Sequence, residues 1–117
     1  MNNPISFSLA KLLKEKGFDE PCKLCVEDGD ERPLPFNCGN TIHRNSLHPY
    51  YSAPTISDVV MWLYEKYMIW ISVDPENDTN TWFHTITHEK SEIVFGNDSS
   101  LTEAYEKGIE HILNEMI

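Results

Sequence analysis

Between Thr55 and Ile117 the apolar residues change period twice, and few folds accept that pattern. Ile56, Val59, Val60, Leu63 and Tyr67 recur at helical spacing, with Met61 and Trp62 off the stripe. Ile69, Ile71 and Val73 then alternate with Met68, Trp70 and Ser72. Trp82, His84, Ile86 and His88 alternate with Thr81, Phe83, Thr85 and Thr87. Period two with β-branched and aromatic residues predicts strands. Ile93 to Phe95 reads as a third strand, followed by a loop over 96–99. From Leu101 the helical period returns through Ala104, Tyr105, Gly108, Ile109, Ile112, Leu113 and Met116. Thr55-Ile56-Ser57-Asp58 and Ser100-Leu101-Thr102-Glu103 are capping boxes at the two helix starts, the first with Asp in place of Glu. The short connections 74–80 and 89–91 make consecutive strands antiparallel neighbours.

The first half is less regular. Ser6 can cap a helix carrying Leu9, Leu12 and Leu13, and Gly17 supplies a left-handed stop with Phe18 folding back. Asp28 to Pro33 is a turn by composition, between short strands at 22–26 and 34–38. Pro33 and Pro35 push the second strand toward an edge. Residues 39–51 read as an ordered loop. The expectation is an α+β fold in the order α-(β-β)-α-β-β-β-α, with a three-stranded or slightly larger antiparallel sheet and packed helices. A length of 117 residues suits a single domain, with 1–52 holding the helix and a Cys/His-containing segment and 53–117 the rest.

Charge narrows the partners. Residues 1–58 carry six Lys/Arg against eight Asp/Glu, and residues 59–117 three against eleven. Nucleic-acid affinity rests on Lys and Arg displacing counterions, so nucleic-acid binding is not expected. The helix–three-strand–helix order is shared with double-stranded RNA-binding domains, but those need a basic last helix, and here Lys107 is its one Lys or Arg. No apolar run approaches the roughly 20 residues of a membrane helix, and Met1 to Ile5 lacks the basic and apolar regions of a secretory signal. The expected chain is cytoplasmic, off the membrane, and a monomer or small homo-oligomer.

Cys22, Cys25, Cys38 and His43 have spacing that could close a zinc tetrahedron. A second tight pair is missing, and buried Cys packs as a small apolar residue, so neither metal nor cofactor is expected. His84 and His88 share a strand face about 13 Å apart, too far for one ion, and read as half-exposed strand histidines. Asp74-x-Glu76-x-Asp78 opens like a calcium loop but has Thr79 and Thr85 where Gly and Glu are required. No phosphate loop, nucleophile elbow or H-E-x-x-H occurs, and no catalytic residue is expected. Tyr50, Tyr51, Trp62, Trp70 and Trp82 are more rings than a small core must hold, which makes them candidates for an interface.

At Ser52-Ala53-Pro54-Thr55, Met61-Trp62-Leu63-Tyr64-Glu65-Lys66 and Ile69-Trp70-Ile71 the chain resembles small uncharacterised proteins of gut Bacteroidales genomes and their phages or prophages. Thr102-Glu103-Ala104-Tyr105-Glu106 with Ile109-Glu110 fits the same pattern, and the layout of 55–117 is similar to phage ABA-sandwich domains. The resemblance implies a phage or mobile-element origin and carries over no catalytic residue. Residues 22–38 have no counterpart in it. The expected function is a non-enzymatic module binding a protein partner; the alternatives are an acidic inhibitor or nucleic-acid mimic acting on a host or defence protein, and a zinc-stabilised module.

Overall fold

The computed structural model describes residues 3–27, 30–35, 44–45, 50–77 and 80–117. The architecture is α+β, and the chain divides into two compact units, residues 2–55 and 56–116.

The first unit starts with α1 (Phe7–Glu15), which buries Leu9, Ala10 and Leu13. It ends in a Schellman motif. The Phe18 amide donates to Leu13 O at 2.9 Å, the Gly17 amide to Lys14 O at 3.2 Å, and Gly17 sits at φ 87°. Phe18, 1% exposed, closes the apolar side of that ending. Strands β1 (Leu24–Glu27), β2 (Asp30–Pro35) and β3 (Tyr51–Ser52) form an antiparallel sheet in the order β2-β1-β3. Residues 30–33 therefore belong to a strand and not to a turn: they pair back along β1, with Glu27 opposite Asp30. The prolines lie on an edge strand, where a missing amide breaks no ladder. β3 emerges from the stretch expected as loop. It is held by buried Asn45, whose Nδ2 donates to Phe18 O at 2.7 Å and whose Oδ1 accepts from the Ser52 amide at 2.8 Å.

The second unit runs α2 (Ile56–Tyr67), β4 (Ile69–Pro75), β5 (Trp82–His88), β6 (Ser91–Asp98) and α3 (Leu101–Glu115), with the strands antiparallel in sequence order. Met68 alone joins α2 to β4, at φ 58°. Registers Ile69↔His88, Ile71↔Ile86 and Val73↔His84 place Ile69, Ile71, His84 and Ile86 on one face. Over that face lie Ala104, Gly108, Ile109, Ile112 and Leu113 of α3, all buried, while α2 packs against β4 and α3. The α3 start is a capping box: Ser100 Oγ accepts from the Glu103 amide at 3.0 Å, and the Glu103 carboxylate reaches back to the amide and hydroxyl of Ser99. Among the described residues no helix is long and apolar enough to cross a membrane.

β6 is longer than the expected strand because 96–98 continue it instead of forming a loop. Trp82 pairs with Asp98 and His84 with Phe95, so two steps on β5 face three on β6. This is a β-bulge, and Asn97 takes the left-handed conformation (φ 63°) that Asn tolerates better than most residues. Glu76 Oε1 accepts from the Asn97 amide at 2.7 Å and holds the bulge.

Candidate functional site

The bulge decides where Asp98 points. Simple alternation from Phe95 would put Asn97 on the helix-facing side; the extra residue puts Asp98 there instead. Asp98 Oδ2 consequently lies 2.8 Å from His84 Nδ1, with both side chains buried. Asp98 Oδ1 is 3.5 Å from Lys107 Nζ, which also approaches Glu103 at 3.5 Å. Phe95 stacks on the His84 ring, with centroids 5.0 Å apart and planes 19° apart, and contacts the His111 ring at 5.1 Å. Gly108 brings α3 close: a Cβ there would stand 3.2 Å from His84 Cδ2 and 3.5 Å from Ile71. Beside these groups opens a cavity of about 410 Å³ between the sheet and α3, lined by His84, Phe95 and Asp98 on one side and Lys107 and His111 on the other.

His84 is thus not a half-exposed strand histidine. It is 2% exposed, because Asp98 supplies the partner that makes burial of an imidazole affordable. His88 is half-buried on the same face. Neither Asp98 nor the cavity was legible as a site; the signal lay in Gly96-Asn97, a pair suited to a bulge as well as to a loop. Lys107 is held charged to higher pH by the carboxylate of Glu103 and then of Asp98. Glu103 titrates below its ordinary value of 4.5, chiefly through its bonds to Ser99 and further through Lys107.

Of the five candidate interface rings, two belong to the first unit and three to the second. Tyr50 is exposed and Tyr51 is half-buried, edge-on to Phe7 at 5.8 Å with Lys14 over its ring at 5.1 Å. Both belong to the first unit. Trp62 is a correction: it is 6% exposed, edge-on to Tyr67 at 5.5 Å, and serves the core. Trp82 is half-buried on the helix-facing side of β5. Trp70 points to the opposite face, is 41% exposed, and meets Tyr64 edge-on at 5.5 Å. The exposed apolar row continues to Met61, one turn before Tyr64 on α2, and to Met68, which lies past the helix end at the entry to β4. Asp58 and Glu65 flank the row at helical spacing, and exposed Glu92 lies in the cross-strand row of Trp70 through Thr87.

Cys22 and Cys25 are free thiols, both buried. Burial, and then the charge of Glu27, push the Cys25 thiol above its ordinary value of 9.0, away from the thiolate a metal or redox partner needs. Cys38 and His43 lie outside the described residues. Among the described residues no three or more His, Cys, Asp or Glu side chains gather to hold a metal. Glu76, the middle of the calcium-like triplet, is engaged by the bulge. No protein-family model matches the chain, and no curated protein or solved structure is significantly similar to it.

Proposed function

We propose that this chain is a non-enzymatic protein-interaction module that grips its partner through Met61, Tyr64, Met68 and Trp70. The observation carrying this reading is their combined exposure, 45%, 42%, 62% and 41%, on one helix, the residue that leaves it and the strand it feeds. Aromatic and methionine side chains gathered in one exposed row are the usual centre of a binding surface, supplying large contact area and adaptable packing. The resemblance to phage and prophage proteins fits a partner supplied by a bacterial host.

The acidic flank favours a second, narrower form of the same reading, an inhibitor of a basic host protein. Residues 56–116 hold three Lys against twelve Asp and Glu. Such a field speeds docking onto a positive surface and makes the association salt-dependent.

Affinity capture from host lysate with the wild-type chain, Trp70→Ser and Tyr64→Ser tests the surface. A partner retained by wild type and lost by both variants supports the module; equal retention by all three removes this surface from the function. Repeating the capture in high salt separates the two forms, since only the inhibitor of a basic protein is released steeply.

A further inference from the structure

We propose that the cavity between the sheet and α3 binds a small organic ammonium ion, a primary amine on a flat apolar skeleton. Three features of the lining point to that chemistry, and none is used by the interaction surface on α2 and β4.

The first is His84. Its Nδ1 lies on Asp98, Cδ2 rests against Gly108, and Phe95 covers one ring face. The ring edge that none of these contacts covers is Cε1–Nε2, and His84 is among the residues lining the cavity. A carboxylate only accepts hydrogen bonds, so the shared hydrogen sits on Nδ1, and in the neutral ring Nε2 then presents a lone pair. The side chain is 3% exposed, and Nε2 has no hydrogen-bond partner among the described residues. A buried acceptor without a partner is costly and is normally met by water or a ligand.

The second is charge. Lys107 is the one Lys or Arg on the lining, and it is committed to Asp98 and Glu103. It is therefore poorly placed to recruit an anion. Glu110 and Glu115 also line the cavity and make no ion pair among the described residues. The third is shape. Phe95 and His111, their planes 54° apart, bring two aromatic rings to the wall, and about 410 Å³ is in the range of small-molecule sites. An ammonium group would donate to Nε2, be balanced by the two carboxylates, and lay its carbon skeleton on the rings.

The test uses the full chain labelled with ¹⁵N at histidine, titrated at neutral pH with benzylamine, benzyl alcohol and benzoate, which share a shape and differ in charge. The ligand-free protein is expected to show His84 with hydrogen on Nδ1 and a bare Nε2. Benzylamine should move the Nε2 signal saturably, benzyl alcohol should bind about tenfold more weakly, and benzoate should leave the signal in place. The double variant Glu110→Gln/Glu115→Gln, on exposed positions that leave the core intact, should lower benzylamine affinity about tenfold or more. An Nε2 that carries hydrogen in the free protein overturns the proposal. So does benzoate binding as well as benzylamine, or no response to benzylamine at about 10 mM. A zinc chloride titration that shifts the His84 and His111 nitrogens while benzylamine does nothing would make the cavity a metal site instead.

Discussion

Gly108 shows how one residue sets the distance between two layers. A helix interior normally gains about 1 kcal/mol when Ala replaces Gly. Here the added methyl would meet His84 Cδ2 at 3.2 Å, and His84 cannot retreat, being bonded to Asp98 and stacked under Phe95. Overpacking of this kind costs about 1–3 kcal/mol. Gly108→Ala should therefore destabilise the chain by about 1 kcal/mol net in urea melts, whereas propensity alone gives the opposite sign. Glu103 carries a second prediction at this scale. Its folded value lies below 4.5, so its contribution is present above the unfolded value and lost as pH falls through the lowered folded one. Glu103→Gln should flatten the acid limb of stability against pH below about 4.5 and leave its shape near neutrality unchanged. Thermal melts from pH 2 to 7 read this directly.

Elements differ in how plainly their residues announce them. Helix α1 was readable to its last turn, because Gly17 and Phe18 encode the Schellman ending locally. The same holds for α2, β4, β5 and α3, whose periods are long and unbroken. β2 and β6 were displaced because Asp30–Pro33 and Gly96–Asn97 are turn-like in composition, and only pairing with β1 and β5 makes them strand. The candidate site followed the same rule. The outward face of Trp70 is legible because it alternates with Ile69 and Ile71, while the His84–Asp98 pair depends on a bulge that alternation does not contain. Trp62 was misread for a related reason: the buried arc of α2 is wider than the stripe drawn from its aliphatic residues. At this scale Leu63→Ala, at a fully buried position facing the best-defined core, should cost about 2–5 kcal/mol in denaturant melts. Asn45→Ala should cost about 1–3 kcal/mol, since it removes two buried hydrogen bonds at once.

For the whole molecule the decisive quantity is a net charge of −10. Phosphate backbones are bound by releasing counterions to Lys and Arg, and each such contact adds to the salt dependence of binding. In the helix–strand–helix unit Lys66 lies over the Trp62 and Tyr67 rings, Lys107 is paired with carboxylates, and Lys90 is exposed at the β5–β6 turn. The remaining surface of α3 presents Glu110 and Glu115 where a nucleic-acid-binding helix would present cations. These three lysines are all the Lys and Arg that residues 56–116 hold. Titration with duplex DNA or RNA at physiological salt should therefore give no measurable binding, and lowering the salt should not rescue it, because screening then protects the phosphates less from the acidic surface. Sub-micromolar affinity with a steep salt slope would mean that the charge is arranged about a basic face, and would move the interaction surface away from Met61, Tyr64, Met68 and Trp70.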